Sequence, residues 1–154
     1  ADAASVPVLG VCFGAQLLAH ALGGSVRAAA REEIGWFDIE VVDDPAATTL
    51  ADRFAIGHGP WFQWHLDVFT PPPHATTLAH STAGPQAFVV GRMLGVQFHP
   101  EVNRSVLETW MVSDRDQLLD SGIDPDAMLR HTDDLLETAT RRCEALLRAV
   151  VDRL

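Results

Sequence analysis

The sequence predicts an α/β domain with a buried sheet, and three patterns support this. Residues 7–12 form a short apolar run that is typical of a strand covered on both faces, and helical spacing follows immediately. Residues 86–90 and 94–98 are two further apolar runs around a tight link, which predicts an antiparallel hairpin. Apolar residues at helical spacing after residue 124 predict a terminal helix. We therefore expect one α/β domain that spans residues 1–154.

The first half of the chain contains two predicted strands, one predicted helix and a predicted loop region. After the strand at residues 7–12 the chain turns at Phe13-Gly14, and a helix covers residues 15–22 until two glycines stop it. A second strand is expected at residues 34–42. Residues 57–80 are rich in Pro, Gly, His and aromatic residues, so we expect an ordered loop region there.

The last helix is predicted to begin at Asp124-Pro125, because an Asp N-cap followed by proline is a common helix start. Its apolar residues fall along one stripe: Met128, Leu135, Leu136, Ala139, Cys143, Leu146, Leu147, Val150 and Leu154. Cys143 lies on this stripe without a glycine turn or a histidine nearby, so we expect it to be a core residue.

The composition excludes several functional classes. The formal net charge of −10 argues against nucleic-acid and anionic-membrane binding, since both require a basic surface. The sequence contains no lysine, which excludes Schiff-base chemistry and the P-loop lysine of nucleotide-binding proteins. Two cysteines are too few for a disulfide framework, and no apolar run is long enough to span a bilayer. We therefore expect a soluble, cytoplasmic protein.

Gly10-Val11-Cys12-Phe13-Gly14 has the form of a nucleophile elbow, in which the reactive residue stands on a sharp strand-to-helix turn. Small residues are required there because the neighbouring backbone is pressed close. The turn exposes the sulfur of Cys12 and places it at a helix N-terminus, where the dipole favours a thiolate. The N–H of Phe13 is then placed to stabilise an oxyanion. The elbow alone leaves open the alternative of a buried structural cysteine.

A thiol nucleophile requires a base and a group that orients the base, and Gln97-Phe98-His99-Pro100-Glu101 supplies both. Pro100 restricts His99 to extended conformations, so His99 and Glu101 are expected on the same side of the chain. Glu101 can then accept a hydrogen bond from one ring nitrogen of His99 and leave the other facing the sulfur.

The other histidines do not indicate a metal site. No pair has the His-x-x-x-His helical spacing, and two distant cysteines form no zinc knuckle. We therefore expect neither a metal nor a cofactor. Structural or solvated positions are expected for His20, His58, His74, His80 and His131.

Together the two motifs resemble the class I, or triad, glutamine amidotransferase family. Residues 33–36, 64–67 and 78–81 look like further family signatures. The pattern is most similar to the GMP-synthase-like, stand-alone subgroup, and the helical tail after Glu101 fits that subgroup. The two stretches that carry the resemblance are Pro7-Val8-Leu9-Gly10-Val11-Cys12-Phe13-Gly14-Ala15-Gln16 and Gly95-Val96-Gln97-Phe98-His99-Pro100-Glu101.

The resemblance implies a flavodoxin-like, doubly wound sheet with an antiparallel hairpin, and a triad of Cys12, His99 and Glu101. Cys12 would attack the side-chain carboxamide of glutamine, and His99 would protonate the departing ammonia. A glutamyl thioester would then be hydrolysed to glutamate. The segment around His65 resembles a loop that holds the amino-acid end of the substrate through backbone groups. Substrate contacts are implied for Phe13, Gly14, Gln16 and His65.

The resemblance also implies strands and helices before the elbow strand, including a Gly-rich loop that supplies a second oxyanion N–H. We therefore expect the domain of residues 1–154 to be N-terminally incomplete. An oxyanion hole with one donor instead of two typically loses about 10²–10³ in rate.

Three functions remain open at this point. The first is an amidotransferase that produces ammonia from glutamine for an acceptor, with any synthetase partner on a separate chain. The second is a γ-glutamyl hydrolase with the same triad. The third is a catalytically silent binding or regulatory domain that keeps the fold.

Overall fold

The computed structural model describes residues 6–153 of the chain. No helix in this range is long and apolar enough to cross a membrane. In chain order the elements are β1 (Val8–Val11), α1 (Phe13–Ala21), β2 (Ser25–Val41), α2 (Pro45–Arg53), β3 (Gly59–Thr70), β4 (Thr76–His80), β5 (Pro85–Val90), β6 (Met93–Val96), α3 (Arg104–Ser113), α4 (Arg115–Asp120) and α5 (Pro125–Arg153).

The strands form one mixed sheet in the order β1-β6-β5-β4-β2-β3. β1 runs parallel to β6, and the other neighbouring strands are antiparallel. The pairing of β5 with β6 confirms the predicted hairpin. In the parallel pair, Gly10 lies opposite Gly95 and Val11 lies opposite Val96. The ends of the two strands that carry the sequence motifs are therefore neighbours.

Helices cover both faces of the sheet, which confirms the predicted α/β class. Successive side chains of a strand point to opposite faces. Phe88 of β5 packs in a cluster with Ala19 of α1. The next residue, Val89, packs in another cluster with Ala51 of α2 and Leu146 of α5.

The expectation of a loop at residues 57–80 is wrong. Residues 59–70 form β3, which pairs with β2 along most of its length, and β4 follows. The prolines and glycines that suggested a loop lie at the start of β3 and in the connection at residues 71–73. Because Trp61, Phe62 and Gln63 are all buried, β3 also lacks the alternation that identifies a half-buried strand in sequence.

Several element boundaries differ from the sequence prediction. Helix α1 begins at Phe13, two residues earlier than expected, because the turn itself is helical. β2 begins at Ser25 instead of residue 34, since its first half pairs with β3. β6 ends at Val96, so Gln97 and Phe98 lie beyond the strand on the path to His99.

Helix α5 begins where the sequence predicts. The side chain of Asp124 accepts hydrogen bonds from the backbone N–H groups of Asp126 and Ala127, at 2.9 and 3.2 Å. Only part of the predicted stripe is buried: Met128, Ala139 and Leu146 are buried, whereas Leu147 is exposed. Leu154 lies outside the described residues, and Cys143 is half-buried, so the expectation of a core position for Cys143 is wrong.

Docking of α5 onto the sheet depends on Leu146, which is fully buried, whereas the adjacent Leu147 is 45% exposed. We expect Leu146→Ala to lower the free energy of unfolding by about 2–5 kcal/mol, since it leaves a cavity in the core. The matched variant Leu147→Ala should cost less than about 1 kcal/mol. Urea unfolding followed by circular dichroism measures both, and equal losses would contradict this packing.

Candidate active site

Cys12 occupies the turn between β1 and α1 in a backbone conformation that is uncommon for a non-glycine residue. Its φ and ψ are 48° and −109°. A nucleophile elbow stores this kind of local strain, which the surrounding structure has to hold in place. The N–H of Cys12 donates to the carbonyl oxygen of Val96 at 2.8 Å, which extends the parallel pairing of β1 with β6 to the elbow.

The elbow needs a glycine at position 10 for steric reasons. A Cβ atom at Gly10 would lie 2.7 Å from the carbonyl oxygen of Gly14, which is closer than such atoms approach. A Cβ atom at Gly14 would meet nothing within 4 Å, so crowding does not explain the second glycine. Phe13, the first residue of α1, has a 66% exposed side chain. Its N–H lies in the first helical turn, where such groups have no intrahelical partner.

His99 and Glu101 are in direct contact. Nδ1 of His99 lies 2.7 Å from a carboxylate oxygen of Glu101, so Nδ1 donates and Nε2 is left for the sulfur side. The His99 side chain is 13% exposed and that of Glu101 is 48% exposed. The backbone N–H of His99 donates to the carbonyl oxygen of Phe62 at 2.8 Å, which fixes this segment against β3.

The surroundings of His99 favour its protonated form. Burial by itself lowers the pKa of His99, but hydrogen bonds and charge interactions with Cys12 and Glu101 raise it, from 6.5 to about 9. At neutral pH the imidazole therefore carries a proton beside the sulfur. This is the state that can deliver a proton to a leaving group next to Cys12.

A hydrogen-bonded chain of amides connects Cys12 to β3. Nε2 of Gln97 lies 3.7 Å from the sulfur, and Oε1 of Gln97 accepts from Nε2 of Gln16 at 3.4 Å. Nε2 of Gln16 also donates to the carbonyl oxygen of Asp67 at 3.1 Å. The sulfur itself lies 3.9 Å from the carbonyl oxygen of Trp64. Gln16 is thus connected to the sulfur of Cys12 through the side chain of Gln97.

His65 is not in a loop, contrary to the expectation from the resemblance, because its segment belongs to β3. Its buried ring lies between two partners. Nδ1 donates to the carbonyl oxygen of Asp67 at 3.1 Å. Nε2 lies 3.2 Å from Oε2 of Glu33 without the alignment of a hydrogen bond. The same oxygen of Glu33 accepts from Ser81 and Gln86, each at 3.0 Å.

Two cavities open next to each other at Cys12, and Trp64 lines both of them. The aromatic cavity has a volume of about 260 Å³ and is lined by Cys12, Trp64, His99, Trp110 and Asp114. The polar cavity has a volume of about 220 Å³ and is lined by Cys12, Gln16, Trp64, His65, Leu66, Asp67 and Gln117.

Sequence reasoning did not assign roles to Trp110, Asp114, Gln117 or Gln97. The first three come from α3, α4 and their junction, and they reach the site only because these helices pack beside β3. No local pattern in the sequence signals such a long-range contact. Gln97 is different, since it lies next to His99 in the motif and could have been examined on that ground.

The model of the family described as glutamine amidotransferase class-I matches residues 1–116. The chain belongs to the class-I glutamine amidotransferase family. Both motif stretches, with Cys12, His99 and Glu101, fall within the matched residues.

A curated relative supports this assignment to the family. A glutamine-hydrolyzing GMP synthase of Aeropyrum pernix is 39% identical over 113 residues, which cover 68% of this chain and 21% of that protein. The chain therefore spans about a fifth of the length of this curated relative.

Two solved glutamine amidotransferases have the same fold. The structure from Thermotoga maritima is 34% identical with a TM-score of 0.81, covering 94% of this chain and 63% of that one. The structure from Methylobacillus flagellatus is 28% identical with a TM-score of 0.84, covering 96% and 63%. The α/β sheet and the helical C-terminal part are thus those of class I glutamine amidotransferases.

The raised pKa of His99 can be measured by NMR titration of its ring protons. We expect His99 to titrate near 9, and the titration to move to lower pH in Glu101→Gln, because a group that favours the imidazolium is removed. Glu108→Gln is the control, since Glu108 pairs with Arg104 and not with His99. A pKa of about 6.5 for His99 in the wild-type protein would contradict its close contacts with Cys12 and Glu101.

The same shift predicts a pH dependence of stability. The pKa of His99 is raised in the folded state, so protonation of His99 adds to the free energy of unfolding. This contribution is fully present below about pH 6.5 and is lost as the pH rises through about 9.

Proposed function

We propose that the chain hydrolyses the side-chain amide of glutamine through a thioester on Cys12, releasing glutamate and ammonia. The observation that carries the proposal is the contact of Glu101 with His99 beside the cavity that also contains Cys12. Membership of the class-I glutamine amidotransferase family supports the same chemistry.

In the proposed reaction, the glutamyl part of the substrate lies in the polar cavity. This cavity is lined by the Leu66-Asp67 part of β3 and by Gln16 and Gln117, whose side-chain amides can hydrogen-bond polar groups of the substrate. The ring of His65 and the carboxylate of Glu33 hold the Asp67 segment of β3 from behind. In this proposal His65 acts as a positioning residue instead of a direct contact. Gly14 has no side chain, so in this proposal it contributes to the substrate site only through the backbone of the turn that follows Cys12.

The chemistry then takes two steps. The sulfur of Cys12 attacks the amide carbon, and the N–H of Phe13 stabilises the oxyanion. The C–N bond breaks as His99 gives its proton to the nitrogen, and ammonia leaves. In the second step His99 takes a proton from water, which attacks the thioester and releases glutamate. Glu101 keeps the His99 ring oriented throughout.

We also propose that the ammonia is used by a synthetase partner. The relative from Aeropyrum pernix is named a glutamine-hydrolyzing GMP synthase, and this chain spans about a fifth of it. A cytoplasmic setting fits the proposal, since a thiol nucleophile has to stay reduced.

Replacing the two cysteines separately tests the proposed nucleophile. We expect Cys12→Ala to lower kcat/KM for glutamine hydrolysis by roughly 10³-fold or more, because the thioester can no longer form. Cys143→Ala should retain the wild-type rate. Coupled detection of glutamate measures both variants, and an unchanged rate in Cys12→Ala would rule out the proposal.

Labelling with a glutamine-like diazoketone gives an independent control. The label should appear on Cys12 and not on Cys143. Burial and the charges of Glu101 and Glu144 raise the pKa of the Cys143 thiol, which keeps it protonated and unreactive at neutral pH. Absence of label from both cysteines would favour a catalytically silent domain.

A further inference from the structure

We propose that the aromatic cavity is a binding site for the leaving group, and that the leaving group it fits is an alkylamine with a distal positive charge. The substrates would then include γ-glutamyl amides of diamines as well as glutamine. The inference rests on the proposed thioester chemistry at Cys12.

The position of His99 decides which cavity receives the leaving group. The nitrogen that departs has to accept the proton of His99, so it must lie on the His99 side of the sulfur. His99 lines the aromatic cavity and is not among the residues that line the polar cavity. The glutamyl part therefore lies in the polar cavity, and whatever is attached to the amide nitrogen extends into the aromatic one.

The aromatic cavity is much larger than ammonia requires. A water molecule, which is similar in size to ammonia, takes up about 30 Å³ of liquid volume. The aromatic cavity has a volume of about 260 Å³. A substituent on the amide nitrogen can therefore be accommodated without displacing the side chains that line the cavity.

The two indoles and Asp114 favour a cation, and an alkyl stem separates that cation from the protonated His99 at the amide nitrogen. Trp64 and Trp110 meet edge to face with their ring centroids 5.7 Å apart, and Trp110 meets His99 at 4.9 Å. Indole faces attract ammonium groups and also pack against methylene groups. An anionic substituent would instead be repelled by Asp114.

Asp114 is available to bind the distal charge. It stands at the junction of α3 and α4, and its N–H donates to the carbonyl oxygen of Trp110 one turn earlier, which places both residues on the cavity side. Its side chain makes no helix-capping hydrogen bond. Within residues 6–153 the carboxylate of Asp114 forms no hydrogen bond or ion pair. A half-exposed carboxylate without a partner, next to two indoles, is suited to an alkylammonium group.

In the resulting reaction the sulfur–carbon bond forms first, and the bond from carbon to the substituted nitrogen then breaks. His99 protonates that nitrogen, so the first product is the free amine. Water then hydrolyses the thioester. The sum is a γ-glutamyl amide plus water, giving glutamate plus amine.

The test compares three substrates of the full chain: glutamine, the mono-γ-glutamyl amide of 1,4-diaminobutane, and γ-glutamyl pentylamide, which replaces the distal ammonium with a methyl group. We expect the cationic amide to have a kcat/KM about tenfold above that of the neutral amide. In Asp114→Asn this ratio should fall close to one. Taking a ratio cancels effects of the substitution on Cys12 and His99.

Asp116→Asn is the matched control, because Asp116 lies two residues further on and does not line the cavity. It removes the same charge from a protein of net charge −10 and should leave the ratio unchanged. An equal fall in both variants would mean general attraction of cations, and would overturn the inference.

The other outcomes separate this inference from the proposed function. Hydrolysis of glutamine without preference for the cationic amide would overturn the leaving-group site and leave the proposed function standing. Failure to cleave any of the three substrates would overturn both.

Discussion

The strained backbone at Cys12 is the constraint on which the rest of the site depends. A φ of 48° turns the chain from β1 directly into α1, and Gly10 allows the helix start to press against the strand. The parallel pairing of β1 with β6 anchors this turn, because the N–H of Cys12 bonds to Val96. β6 then leads within three residues to His99. Two motifs that are far apart in sequence meet because one short parallel pair holds both.

The site is divided at the sulfur of Cys12, and the two sides have different chemistry. On one side, Gln16, His65 and Gln117 line the polar cavity, and the buried Glu33 lies against the ring of His65. On the other side, His99 and two indoles face the aromatic cavity. A substrate that spans the sulfur would have its glutamyl part on the polar side and its leaving group on the side that carries the proton. The acidic surface of the chain is compatible with a cationic leaving group.

The parts of the fold that could be predicted from sequence are those with local signals. The elbow, the β5–β6 hairpin and the start of α5 each depend on glycine, proline or capping residues close together in the chain. β3 could not be predicted, because its consecutive buried residues do not alternate and its prolines resemble loop composition. The contact of His99 with Glu101 follows from a separation of two residues. Trp110 and Asp114 could not be foreseen, because only the packing of α3 beside β3 brings them to Cys12.

The central claim is that glutamine chemistry proceeds through a covalent bond to Cys12. Rapid mixing with glutamine, acid quenching and peptide mass spectrometry test this claim most directly, because a thioester survives acid. The account predicts a glutamyl adduct on the peptide that contains Cys12, which accumulates within the first turnover and disappears when glutamine is exhausted. Glutamate released without any adduct on that peptide, or an adduct found on Cys143, would contradict the account.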